Sequence, residues 1–333
     1  MKSLTLGLLL VTFLVAAIQI QSVDTFAQNA AADYQKGREA FLTFTPEGFK
    51  NAVTYYNKAI QADPKYAPAY AGLGELYSFE GYYRYKVNQD YEKYYIDSYE
   101  NMKLALDINP DLEPVQLALA YTYYHLSDEK SAINTAQAIL SKNPNNAEAL
   151  YILWAAKGSN PNNPDIKKVL ELNPKLVPAL VGLGTAYYEK RHSFSQAENY
   201  FRQAAEIAPS PEIHNYLGTA LIYQGYYTQA ISQFQSAIKL DPNYSPAYQN
   251  MGIALFYMNK LPETIAAEQK AISLNPNSPD AYFFMAQGYD RGKQTQQAIS
   301  YYKQFLNLVM GQDEYSIYAK TAEQRLAALG GGR

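Results

Sequence analysis

The chain has 333 residues, with 28 basic against 31 acidic side chains for a net charge of −3, and tyrosine alone supplies 33 residues. That length supports a large core or several domains, and the acidic balance argues against a nucleic-acid partner, which needs surplus Lys and Arg to neutralise phosphates. The absence of cysteine removes thiol catalysis, Cys-ligated zinc, iron–sulfur clusters, disulfides and cysteine-linked lipid anchors together.

Residues 1–27 read as a secretory signal. Lys2 supplies an early positive charge, an apolar run extends from Leu4 to Ile20, and Thr25-Phe26-Ala27 forms a small-x-small cleavage site. At 17 residues the run is short for a membrane helix, so cleavage after Ala27 is expected in preference to a retained anchor. An exported, Cys-free chain is expected in a bacterial periplasm or at the cell exterior, with no stable membrane insertion after cleavage.

From there the chain is punctuated by Pro64, Pro110, Pro144, Pro174, Pro209, Pro242 and Pro276, at spacings of 46, 34, 30, 35, 33 and 34. Several follow a helix ending, as in Ile108-Asn-Pro, Leu172-Asn-Pro, Leu240-Asp-Pro and Leu274-Asn-Pro. A period near 34 predicts stacked helix pairs. The units fall near 33–66, 67–112, 113–146, 147–176, 177–210, 211–244, 245–278 and 279–312. The second carries an insertion of 12 residues at about 79–94, and the fourth is four residues short. Residues 313–333 read as a capping helix with a glycine tail.

In the reference unit 245–278 the first helix puts Tyr248, Met251, Gly252 and Leu255 at i, i+3, i+4 and i+7, one apolar stripe. The phrase returns at Leu73-Gly74, Leu183-Gly184 and Leu217-Gly218. In the second helices Ala52, Ala132, Ala197, Ala230 and Ala298 share one slot. Ala59, Ala105, Ala204, Ala237 and Ala271 share another, seven residues later. Small residues are needed there because paired helices approach closely only where side chains are Gly or Ala. A lone hairpin cannot bury its apolar faces, so neighbours must stack.

This Leu-Gly…Tyr…Ala…Phe…Ala…Pro phrase resembles the tetratricopeptide repeat family over residues 33–312. The resemblance implies an all-α fold, a right-handed α-α superhelix of about eight helix-turn-helix units. It says little about function, because the motif residues are packing residues.

Catalysis finds no constellation. His125, His192 and His214 lie in three different units, and there is no GxGxxG, P-loop, GxSxG or HExxH. A non-enzyme without cofactor or metal is expected. Two local features stand out. Seven Tyr from Tyr82 to Tyr99, with Arg84, Lys86 and Lys93, occupy the insertion and its flank, and read as lengthened helices projecting past the stack. Trp154 stands where other units carry Gly or Ala, and is expected to be buried beside the shortened second helix.

A second stripe on each first helix is the functional lead. In the reference unit it is Gln249, Ile253 and Phe256, and the resemblance implies that it faces the concave side. The same offsets across seven units give 21 positions, of which two are acidic, none basic and six aromatic. The candidate ligand-binding set is Tyr121, Tyr124, Tyr151, Tyr188, Asn215, Thr219, Gln249, Ile253, Phe256 and Phe283. Members of the family that clamp an acidic peptide terminus use Lys and Arg on this stripe, which these units lack. An extended, uncharged peptide or a glycan segment is expected instead. The function is then a scaffold that assembles a multi-protein complex in the cell envelope. The alternative is a self-assembling structural or filament-forming protein, since heterologous contacts that do not close build filaments.

Overall fold

The computed structural model describes residues 28–43, 45–86 and 90–331, so the secretory-signal reading lies outside the described residues. Among those residues every regular element is helical. No described helix is long and apolar enough to cross a membrane. Where the sequence reads as one continuous array, the chain divides into two compact units. Unit 1 comprises Met1–Tyr83 with Tyr91–Gly158, and unit 2 comprises Arg84–Asp90 with Ser159–Arg333.

Unit 1 holds α1 (28–41), α2 (Pro46–Ala62), α3 (Ala67–Lys86, whose last residues fall in unit 2), α4 (Glu92–Ile108), α5 (Glu113–His125), α6 (Glu129–Lys142) and α7 (Ala147–Ala156). Unit 2 holds α8 (Pro164–Leu172), α9 (Val177–Arg191), α10 (Phe194–Ile207), α11 (Pro211–Tyr223) and α12 (Tyr227–Leu240). It continues with α13 (Ser245–Tyr257), α14 (Leu261–Leu274), α15 (Pro279–Arg291) and α16 (Thr295–Leu308). A 3-10 turn (Asp313–Tyr315) and α17 (Ser316–Ala328) complete it.

The Asn-Pro and Asp-Pro pairs do two jobs. Proline cannot continue the helix. The residue before it also closes a turn, its side-chain oxygen accepting from the N–H two residues on: Lys65 to Asp63 at 2.9 Å, Lys175 to Asn173 at 3.1 Å, and Asn243 to Asp241 at 2.9 Å. The next helix then starts with Pro in its first turn, as α9, α11, α13 and α15 do.

Within a pair, an aromatic ring of the second helix lies on a glycine of the first. A Cβ at Gly218 would stand 2.5 Å from the Phe234 ring, and one at Gly184 equally close to Phe201. All ten alanines of the two small slots are fully buried. Two pairs depart from the rule: Met102 of α4 lies on Gly74, and Glu268 of α14 lies on Gly252.

The insertion lengthens α3 to 20 residues and α4 to 17. Tyr95 packs on Gly81, and Tyr82 stacks on His125 with ring centroids 6.0 Å apart. The base of the lengthened pair is therefore held against α5, while Ile96 and Tyr99 stay exposed. Trp154 is 1% exposed. In α17, Ala322 and Leu326 are buried in one core with Phe283 and Phe305, and Arg325 holds Asp290 of α15 through two bonds of 2.7 and 2.8 Å.

Candidate functional site

The second stripe differs between the two units. In unit 1 its register begins earlier than the 34-residue frame implies. Gly37 lies on the Tyr56 ring as Gly218 lies on Phe234, which puts Tyr34, Arg38 and Phe41 at the offsets of Gln249, Ile253 and Phe256. A stripe without a basic member therefore holds only for the seven units counted from the sequence. The first unit contributes Arg38.

Arg38 donates from Nη1 to Glu75 Oε2 at 2.6 Å and from Nη2 to Glu148 Oε2 at 3.4 Å. It thereby ties α1 to α3 and to α7, 110 residues away. The three charges are largely covered, with side-chain exposures of 14%, 6% and 28%. Tyr34, Tyr56 and Tyr121 complete the cluster. Burial pushes the Tyr34 phenol up to about 12, against the opposing pull of Arg38. The Tyr56 and Tyr121 hydroxyls are buried with no hydrogen-bond partner.

His125 closes the other side. Its ring stacks between Tyr82 and Tyr121, and burial pushes its pKa down to about 4, so the imidazole is neutral near pH 7. Its Nδ1 lies 3.0 Å from Ser78 Oγ, a serine–histidine pair of nucleophilic chemistry in outline. Ser78, however, is fully buried and donates to the Glu75 carbonyl at 2.8 Å. No substrate carbonyl reaches a hydroxyl so placed, and the pair is structural. His214 meets Gln233 at 2.9 Å, and His192 caps α9 in the left-handed conformation. Among the described residues no three His, Cys, Asp or Glu side chains are grouped to hold a metal.

The candidate anchors of unit 1 are corrected accordingly. Tyr121 and Tyr151 are buried, with ring centroids 6.4 Å apart; Tyr121 lies near the Arg38, Glu75 and Glu148 charges, and Tyr151 packs on Trp154. Tyr124 is half-buried beside His125.

Unit 2 keeps more of its stripe open. Asn215, Phe256 and Phe283 are buried, which removes them as surface anchors. The Arg291 guanidinium lies 3.9 Å above the Phe256 ring centroid, and Phe283 packs on Phe305 and on Tyr318 of α17. Thr219, Gln249 and Ile253 are half-buried. The amides bond along the stack: Asn250 donates to Asn215 at 2.9 Å, and Ser278 to Gln249 at 2.6 Å. Burial pushes the Asp280 carboxyl up, with Gln249 donating to it at 3.4 Å.

Tyr188 is half-buried and meets Tyr223 edge-on at 5.3 Å, while Phe194 stacks on Tyr223 at 4.7 Å. Burial and then the neighbouring Tyr223 push the Tyr188 phenol up. Tyr318 feels Tyr223 and Tyr257 as well as Asp280. Tyr257 stacks on Tyr227 at 5.4 Å and Tyr318 packs on Phe283 at 5.1 Å, and the rings of Tyr223, Tyr257 and Tyr318 are exposed. Tyr223, Tyr257 and Tyr318 were missed from the sequence because they stand one position beyond the stripe or on the capping helix.

Residues 211–244 match the tetratricopeptide repeat model. Superkiller complex protein 3 of Mus musculus is 26% identical over 242 residues, 69% of this chain and 15% of that protein. The Homo sapiens protein of the same name is 27% identical over 205 residues, 60% of this chain and 12% of that protein. The chain therefore spans less than a sixth of the curated relatives it matches. The APC/C hetero-tetramer Cut9–Hcn1 superposes with a TM-score of 0.65 at 18% identity, over 86% of this chain and 54% of that chain. This likeness establishes the fold as a tetratricopeptide-like solenoid. Proteins built of this repeat generally mediate protein interactions and complex assembly, and are generally non-catalytic.

Proposed function

We propose that the protein is a non-catalytic scaffold of the cell envelope that holds an extended, largely uncharged peptide segment of a partner protein on unit 2. The observation that carries this reading is the contrast along the stripe. In unit 1 it is closed over a buried ion-pair cluster, whereas in unit 2 Tyr188 meets the exposed ring of Tyr223, and Tyr257 and Tyr318 are exposed as well. Aromatic anchors supply large contact area at little entropy cost. The envelope setting rests on Lys2, the Leu4–Ile20 run and the Thr25-Phe26-Ala27 site. A photo-crosslinking residue at position 188 in native cells should capture a protein partner that the same residue at position 121 does not. Equal capture at both positions, or capture of glycan alone, would reject the peptide reading. N-terminal sequencing of the native chain should begin at Gln28.

A further inference from the structure

Alternating antiparallel helices place their turns on two opposite edges. In unit 2 the turns inside pairs (α9–α10, α11–α12, α13–α14 and α15–α16) share one edge. The turns between pairs (α8–α9, α10–α11, α12–α13, α14–α15 and α16–α17) share the other. The two edges differ in charge. Taking the last and first helical turns with each connection, the edge inside pairs carries five basic side chains against three acidic. Lys190, Lys260 and Lys293 are among the basic ones. The edge between pairs carries two basic against seven acidic, including Glu206, Asp313 and Glu314.

The exposed apolar groups divide the same way. Among residues 159–331 every exposed large hydrophobic side chain stands at one of these turns. Tyr223, Tyr226 and Tyr257 lie on the basic edge; Leu172, Ile207, Leu240 and Met310 lie on the acidic edge with Ile317 at its end, while the Tyr318 ring turns away from that edge onto Phe283. One edge is thus basic and aromatic, and the other is acidic and aliphatic. Both belong to the same helix pairs, so they share one repeat spacing, and successive turns of one edge come into register with successive turns of the other.

We propose that unit 2 docks edge to edge on a second copy of this chain, the turns inside pairs of one copy meeting the turns between pairs of the next. The charge complementarity selects a second copy over a generic acidic partner, because the matching acidic and aliphatic edge is present on the same molecule at the same period. Each contact uses one edge of each copy and leaves the other edges free. The association is therefore heterologous and extends into rows without closing. Exposed ion pairs lose strength beyond a screening length of about 8 Å at physiological salt, so the rows form at low salt and disperse at high salt. The inference shares Tyr223 and Tyr257 with the peptide reading but rests on the charged turns, so charge reversal there tests it separately from the aromatic substitutions.

Sedimentation velocity on the full chain tests it. The wild-type chain should associate at low salt and become monomeric at high salt. Lys190→Glu with Lys260→Glu and Lys293→Glu makes both edges acidic, and Glu206→Lys with Asp313→Lys and Glu314→Lys makes both basic. Each triple variant alone should associate at least about tenfold more weakly, since like charges then face each other. An equal mixture of the two should restore association, which also shows that both variants are folded. A wild-type chain that stays monomeric at low salt would overturn the proposal, as would charge-reversed variants that associate unchanged.

Discussion

Glu268 of α14 lies on Gly252 of α13 in the place where Phe234 lies on Gly218 one pair earlier. Its side chain is fully buried and neither carboxylate oxygen has a hydrogen-bond partner. Burial, reinforced by Asp280 of α15, pushes the carboxyl well above its ordinary value. A carboxylic acid has thus replaced the ring that seals the α9–α10 and α11–α12 hairpins.

Restoring the ring should stabilise unit 2. Glu268→Phe removes an unsatisfied buried polar group and should add about 1–3 kcal/mol, read as a higher chemical-denaturation midpoint. The folded pKa exceeds the unfolded value near 4.5. The contribution of Glu268 is therefore complete at acid pH and is lost as pH rises through the folded value. Glu268→Gln should abolish that loss with rising pH. A wild-type and a Gln variant with the same pH dependence would count against the burial argument.

The opposite sign holds in unit 1. His125 has its pKa pushed down from 6.5 to about 4, so the folded state resists protonation. Its contribution is intact above pH 6.5 and is lost as pH falls toward 4, a loss of about 2–3 kcal/mol. Hydrogen exchange followed by mass spectrometry should show α5 losing protection between pH 7 and 5, and His125→Phe should remove most of that loss.

Arg38 joins α1, α3 and α7 through Glu75 and Glu148. Arg38→Met leaves the buried Glu75 uncompensated and should cost about 3–5 kcal/mol. Pairing it with Glu75→Gln should recover most of that loss. Thermal melts of the two variants decide between a paired cluster and a dispensable contact.

Trp154, the single tryptophan of the chain, is buried beside Tyr151. Its fluorescence should be blue-shifted and resist external quenchers. Trp154→Ala should cost about 3–5 kcal/mol, as for other buried aromatic truncations.

The helix pairs were legible because Pro and Gly act locally, through a missing N–H and a missing Cβ, and a 34-residue period repeats the signal. The stripe was legible as a set of positions but not as a surface. Whether Tyr121 or Phe283 is covered depends on neighbours distant in sequence, Arg38 for one and α17 for the other. The first unit hid Arg38 because its turn around Thr43–Thr45 displaces Gly37 from the frame set by Pro64. Glu268 did leave a signal: it follows Gly252 by the 16 residues that separate Phe234 from Gly218.

The proposed holding of a partner rests on Tyr188 and the exposed aromatic rings of unit 2. Its most direct test is the affinity of a captured partner for the wild-type chain, for Tyr188→Ala with Tyr318→Ala, and for Tyr121→Phe, each at low and high salt. Aromatic anchors contribute about 2 kcal/mol or more on truncation, whereas exposed ion pairs contribute about 0–1 kcal/mol and fade with salt. The account predicts at least about a thirtyfold loss for the double variant, no loss for Tyr121→Phe, and little change with salt. Retained affinity in the double variant, or binding that collapses with salt, would contradict it.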